Sequence, residues 1–266
     1  MIAGHRKFPL LFAQAARKRG VRKIVAVGFE GETEPELSRF VDALEWVKLG
    51  QLNDLIGRFK KHHVIDVVMV GQIAPKNLFS RISLDLRMTM LLAKLRSRNA
   101  ETIFGAIGEE LAKDGLRLVP HASYLEEFIP KAGPLTKIKP NKEQHQDIEF
   151  GQKIARSLAA LDVGQTVVVK EGTVLAVEAF EGTDACLRRG GELGQGGATA
   201  VKVTKPGQDM RFDIPVIGMT TIETAKDAGI SVIAFEAGRT LLLERDELIR
   251  KADESGICLV AIKGVP

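Results

Sequence analysis

The sequence predicts an α/β protein built as two domains. Short apolar runs alternate with stretches of helical spacing through the first half, a proline-rich break interrupts the chain at 130–141, and beyond the break strands and helices alternate again around one hairpin signal. Alternation of the first kind implies parallel strands joined by crossover helices, so the first domain is expected to hold a parallel sheet. A hairpin within the second implies a mixed sheet.

The elements follow in order. A helix is expected over Pro9–Arg19, with Leu10, Leu11 and Ala15 on one face, and IVAVGF (24–29) reads as a buried strand. Helical spacing resumes at about 34–44, EWVKLG is a short segment, a helix runs from about 51 to 61, and VIDVVMVG (64–71) is a β-branched strand. In LFSRISLDLRMTMLLAKLRSR (78–98), Leu84, Met88, Leu91, Leu92 and Leu95 keep helical spacing. A helix from Asn99 ends at Gly115, RLVP is a short strand and SYLEEFIP a short helix. PKAGPLTKIKPN (130–141), with three prolines, marks the boundary: one domain over 1–132, a linker over 133–142 and a second domain over 143–266. There a helix at 144–161, the hairpin VVVKEGTVLAVEA, a turn and helix at GTDACLRRGGEL and the strand TAVKVTK are expected. A helix at 219–228, strands SVIAFEAG and TLLLE, a helix at 245–255 and the strand ICLVAIKG complete the chain. GGELGQGG (190–197), with five glycines in eight residues, reads as a flexible loop able to close over a ligand.

Composition narrows the function classes. At 266 residues, 45% hydrophobic and 27% charged, the chain has an ordinary globular composition, so disordered and fibrous classes are excluded. A net charge of +4 with only 5% aromatic residues supplies little for stacking on bases, and no nucleic-acid partner is expected. An anionic small molecule or an anionic membrane face fits that balance. Two cysteines, Cys186 and Cys258, make no disulfide framework and point to a reducing cytoplasm. The start, MIAGHRKFPLLF, carries Arg6 and Lys7 and does not read as a signal peptide, and no apolar window is long enough to span a bilayer.

Three motifs carry chemistry. In IAGHRKFP, Gly4 lies between an apolar start and a helix, where glycine lets backbone amides approach a phosphate; a plain strand-to-helix turn is the alternative. No G-x-G-x-x-G or P-loop occurs, which leaves a nicotinamide oxidoreductase without its fingerprint. EGTVLAVEAFEGTDACLRRGG (171–191) holds Glu178, Glu181, Thr183 and Asp184 ahead of Arg188 and Arg189, a set suited to a phosphorylated ligand and a metal, or simply to a capped, charged helix. KPGQDMRFDIPVIG (205–218) sets Asp209 and Asp213 four apart, on one face whether the segment is helical or extended. Two carboxylates with open positions are how Mg²⁺ or Mn²⁺ is usually held, and Lys205 and Arg211 can neutralise phosphate oxygens. Turn-forming aspartates with surface ion pairs are the plainer account. The basic, leucine-rich stretch at 78–98 is either a core-facing helix or an apolar groove with a cationic rim.

Taken in order, IAGHRKFP, EGTVLAVEAFEGTDACLRRG, KPGQDMRFDIPVIG and EAGRTLLLERDELIRKADESGI resemble the LpxI-type UDP-2,3-diacylglucosamine pyrophosphatases over nearly the whole chain. The resemblance implies a Rossmann-like N-terminal domain and a C-terminal α/β domain enclosing a lipid-linked sugar nucleotide. It implies Mg²⁺- or Mn²⁺-dependent hydrolysis to UMP and 2,3-diacylglucosamine 1-phosphate (lipid X), with water attacking the sugar-side phosphorus. The reaction belongs to lipid A biosynthesis on the cytoplasmic side of the inner membrane, so peripheral membrane contact is expected. Asp209 is the first choice for the essential acid and Asp213 the second, with Glu181 a further metal ligand. Arg188, Arg189, Lys205, Arg211 and Gly4 would meet the phosphates, and Leu84, Met88 and Leu91 the acyl chains. The family carries a second glycine two positions after Gly4, where this sequence has Arg6. A homodimer is compatible with such a fold, though no residue argues for it. The alternative reading is a protein that binds a sugar nucleotide without chemistry.

Overall fold

A computed structural model describes residues 1–71, 83–97, 100–207 and 214–264, so Asp209, Arg211 and Asp213 lie outside the described residues. The chain divides into two compact units that meet in sequence between Glu126 and Glu127. It is an α/β protein, with a parallel sheet in the first unit and a mixed sheet in the second.

In the first unit, β1 (Ile2–Ala3), β2 (Val25–Phe29), β3 (Ala43–Val47), β4 (Asp66–Val67), β5 (Met69–Val70) and β6 (Arg117–Leu118) accompany helices α1 (Phe8–Lys18), α2 (Leu52–Lys61), α3 (Leu86–Lys94) and α4 (Ala100–Lys113). The main sheet has the order β3-β2-β1-β5, parallel throughout, and β4 pairs with β6 separately. Val27, Leu55, Phe59, Val67 and Leu111 are buried in its core.

Two expectations for this unit need correction. The helix expected at about 34–44 is a 3-10 turn over Pro35–Arg39 followed by β3. The reason is tertiary: the Asp42 N–H donates to the Ile24 carbonyl at 2.9 Å while the Asp42 carboxylate accepts the Ile24 N–H at 2.6 Å, which clamps the chain alongside β2. The single strand expected at 64–71 is split, since 66–67 pair with β6 and 69–70 with β1.

In the second unit, β7 (Gly133–Pro134), β14 (Cys258–Ile262), β12 (Ile230–Glu236), β10 (Ala198–Lys202), β8 (Thr166–Lys170) and β9 (Thr173–Val177) form one sheet in that order. The central three strands are parallel, and the outer pairings antiparallel. Short β11 (Val216–Ile217) and β13 (Leu241–Leu242) pair in parallel beside it. Residues 133–142 thus contain β7, and Asn141 closes them with a capping box: its side chain accepts the Gln144 N–H at 2.8 Å, and Gln144 returns the bond at 2.9 Å.

Helix α5 (Lys142–Ala160) covers one sheet face, where Val167, Val169, Val201, Val232 and Val260 are buried. Helices α6 (Thr183–Gly194), α7 (Met219–Asp227) and α8 (Arg245–Glu254) cover the other, over Val168, Ala200, Ile233, Phe235 and Leu259. Successive residues serve opposite cores, so the strands are apolar without interruption.

The loop expected at 190–197 is also corrected. Residues 190–194 are the last turns of α6, with Gly190, Gly191 and Gly194 buried; left-handed backbone begins only at Gln195, with φ 52°. A Cβ on Gly190 would sit 2.5 Å from the Val168 Cβ, and one on Gly191 would sit 1.9 Å from the Ala228 carbonyl oxygen. These glycines serve close packing.

Gly191→Ala is therefore expected to cost about 3 kcal/mol, the upper end for overpacking, because backbone must move. Gly57→Ala, on an exposed turn of α2 with nothing within 4 Å of the new methyl, should stabilise by about 0.5–1 kcal/mol. Urea denaturation of the two variants checks the contrast, which fails if both shift the midpoint alike.

Candidate functional site at the carboxyl ends of the parallel strands

Open parallel sheets bind ligands beyond the carboxyl ends of their strands, where successive connections leave in opposite directions. In the first unit that point lies between β1 and β5. Gly4 follows β1 and Gly71 follows β5; Gly71 has φ 95°, and a Cβ on it would lie 3.1 Å from the Gly4 Cα. The Gly4 N–H donates to Val70 at 2.8 Å, closing a crest with no side chain between the two strands. Beyond it the His5 Nδ1 stands 2.9 Å from the Glu32 carbonyl oxygen, and Arg6, exposed, takes φ 69° before α1 begins at Phe8. The other predicted contributors here are divided: Leu91 belongs to the core at 5% exposure, Leu84 is 39% exposed, and Met88 is half-buried.

In the second unit the equivalent edge joins the ends of β10, β12 and β14 to the start of β8 and the end of β9. Antiparallel register sets Lys202 opposite Thr166, and the Glu178 N–H donates to the Thr166 carbonyl at 2.8 Å. The Lys202 ammonium donates to the Thr183 Oγ1 at 2.7 Å and the Thr166 Oγ1 at 3.4 Å. Thr183, first residue of α6, donates in turn to the Glu178 Oε1 at 2.9 Å. The Glu178 Oε2 is buried without a hydrogen bond, and Lys202 is 3.9 Å from it. Both side chains are nearly buried, at 12% and 13% exposure. An unsatisfied buried carboxylate oxygen is costly and calls for a donor.

One strand further along, Glu236 is 1% exposed and fully engaged. It accepts from the Thr204 N–H at 3.0 Å, from the Thr204 hydroxyl, and from Arg156 at 2.7 and 3.1 Å. Burial alone would raise its pKa; the Thr204 and Arg156 hydrogen bonds outweigh burial and hold the carboxyl below its ordinary range. This clamp fixes the chain at Thr204, from which the described residues continue to Gly207 and resume at Ile214.

The predicted phosphate cations differ in availability. Arg188 is exposed, with no partner among the described residues. Arg189 is committed to Glu181 at 2.8 Å and to the Val177 carbonyl at 2.8 Å. Lys205 is paired with Asp162. Glu181 has both oxygens engaged, one by Arg189 and one by the Ala179 N–H at 3.2 Å; backbone N–H groups, its own first, with Arg189, hold its carboxyl low. No group of three or more metal-binding side chains is assembled among the described residues. Cys186 is buried and its thiol is pushed up to about 12 by desolvation, so it is inert. Lys202 was missed as a site residue by sequence reading, while Glu178 was noted only as one acid of the 171–191 motif; the available signal for Lys202 was a lysine at the end of a largely apolar strand.

Residues 1–128 match the family model described as the LpxI N-terminal domain, and 131–260 the one described as the LpxI C-terminal domain. A Caulobacter vibrioides protein named UDP-2,3-diacylglucosamine pyrophosphatase LpxI is 31% identical over 274 residues, covering 98% of this chain and 96% of that one. Among solved structures, Acinetobacter baumannii RibD is 19% identical, covers 45% of this chain and 35% of its own, and has a TM-score of 0.28, too low to carry an argument.

Arg156→Met strands the Glu236 carboxylate in the interior and is expected to cost about 3 kcal/mol at pH 7, the low end for breaking a buried pair. The folded pKa of Glu236 is lowered, so its contribution is present above the unfolded carboxylate range and is lost as pH falls through the folded value. The gap between wild type and variant should therefore narrow from pH 7 to pH 4. Urea unfolding at both pH values measures it; a gap that widens toward pH 4 would reverse the assignment.

Proposed function

This chain belongs to the LpxI family, and from that premise we propose that it is an enzyme hydrolysing the pyrophosphate of UDP-2,3-diacylglucosamine in lipid A biosynthesis. Identity to a named pyrophosphatase across 98% of the chain, with both domain models matched in order, supports the reading. Two crests at strand ends support it, one floored by Gly4 and Gly71 with no side chain to obstruct a ligand and the other carrying the polar groups of Lys202, Thr183 and Glu178, suited to phosphate and hydroxyl groups.

In the reaction, water adds to the sugar-side phosphorus and the bond from that phosphorus to the bridging oxygen breaks. The bridging oxygen leaves with UMP, and the oxygen from water stays on 2,3-diacylglucosamine 1-phosphate. Asp209 and Asp213 are the oxygen ligands we assign to Mg²⁺ or Mn²⁺; Glu181 would join them only by giving up Arg189. When bound, that ion would neutralise the pyrophosphate oxygens. Arg188 offers an uncommitted guanidinium to the same charge, whereas Arg189 and Lys205 must first leave their carboxylate partners. Lys202 sets its side-chain nitrogen beside two hydroxyls.

The acyl chains bring the protein to the cytoplasmic face of the inner membrane. No helix among the described residues is long and apolar enough to cross it, so the contact we assign is peripheral. Helix α3 supports this, exposing Leu86 at 75% and Met90 at 50% ahead of exposed Lys94 and Arg96.

Purified protein is expected to release UMP from UDP-2,3-diacylglucosamine only with Mg²⁺ or Mn²⁺, and in H₂¹⁸O the label should appear in the lipid product. Asp209→Ala and Asp213→Ala should each lower kcat by about 100-fold or more, on the scale of losing a group that bears transition-state charge. Tight binding without UMP release would replace the reading by a carrier, and full turnover in both variants would remove the aspartates from the site.

A further inference from the structure

The second unit holds a cavity of about 310 Å³ between edge strand β7 and the start of α8. Its walls are Ile129, Pro130 and Leu135, and its charged groups are Arg245, Lys131 and Glu127. The walls are fixed by backbone bonds: the Pro130 carbonyl accepts the Gly238 N–H at 3.0 Å, and the Leu135 N–H donates to Leu259 at 2.9 Å. Arg245 is half-buried, its Nε is shut off from solvent, and neither that atom nor the rest of its guanidinium has a hydrogen-bond or ion-pair partner among the described residues.

That arrangement is unusual chemistry for a side chain this polar. A guanidinium carries five donors and normally meets a carboxylate or phosphate when removed from water. Glu127 lines the same cavity without pairing to Arg245, so the guanidinium has no carboxylate partner among the described residues. Cations outnumber the carboxylate, and the remaining wall is apolar.

We infer that this cavity is a binding site for a small organic anion, a phosphate or carboxylate head on a short apolar body, with Arg245 as the principal contact and Lys131 at the mouth. The head meets the accessible part of the guanidinium, and the apolar body lies against Ile129, Pro130 and Leu135. The sheet order separates this site from the Lys202 cluster: β7 and β9 are opposite edges of the same sheet. It goes beyond the pyrophosphatase reading and does not rest on it.

Isothermal titration of the full chain with butyl phosphate, butyrate, inorganic phosphate and butylamine tests it. The two butyl anions should bind, inorganic phosphate more weakly, and butylamine not at all. Arg245→Gln should weaken butyl phosphate at least tenfold with the melting temperature little changed. Ala132→Trp, which fills the mouth and leaves the arginine in place, should do the same, and decides the matter if Arg245→Gln fails to fold. No binding to the wild type, binding of butylamine equal to butyl phosphate, or wild-type affinity in Ala132→Trp would each overturn the site.

Discussion

Helix α6 lies closer to its neighbours than any side chain would permit, and the chemistry of the second unit depends on that closeness. Gly190 rests on Val168 of the sheet, Gly191 on the Ala228 carbonyl at the end of α7, and Gly194 on Leu175. Glycine in a helix interior is unfavourable by roughly 0.5–1 kcal/mol relative to alanine, so the packing gained must exceed that loss. Its consequence is felt at the other end of the helix. With α6 drawn against β8, the Thr183 hydroxyl falls between Glu178 and Lys202 and joins two charges that would otherwise stand 3.9 Å apart with nothing to relay them.

Two buried acids at this edge show what a protein does with charge it keeps. Glu236 receives two donors on each oxygen, counting the Arg156 fork and the two groups of Thr204, and it holds the chain in place. Glu178 receives one donor on one oxygen. A buried polar network is worth most when complete, and an incomplete one is a liability unless something else completes it. The same contrast separates the cations. Arg189 and Lys205 are neutralised by carboxylates already, so an arriving phosphate must compete; Lys202 is hydrogen-bonded chiefly by neutral hydroxyls, which a phosphate need not displace.

Much of the architecture was legible because local signals agreed. The Asn141 capping box, proline in the first turn of α1, and the run of three valines in β8 each follow from chain chemistry alone. The misreadings had tertiary causes. Leu37, Phe40 and Leu44 keep helical spacing, but the reciprocal bonds of Asp42 with Ile24 cost that helix its second half. The glycines at 190–194 look like a loop because sequence carries no record of the Ala228 carbonyl they must clear. At the site, acids and arginines, Glu178 among them, drew attention by type, whereas Lys202 acquires meaning only from the strand register that sets it opposite Thr166. Asp209, Arg211 and Asp213 lie outside the described residues, so their assignment rests on the chain's chemistry and its family.

The crest of the first unit adds a test of what its glycines are for. Gly71 needs its positive φ and its missing Cβ, because the Gly4 backbone fills that space. Two positions past Gly4, Arg6 holds a left-handed φ of 69° that glycine would adopt freely. An L-residue accepts such a conformation at about 1–2 kcal/mol. The turn is therefore imposed by its surroundings, by β1 locked between β2 and β5 on one side and by α1 starting at Phe8 on the other, and not by the residue within it. Arg6 is exposed, so the strained backbone there is not held by burial of its own side chain.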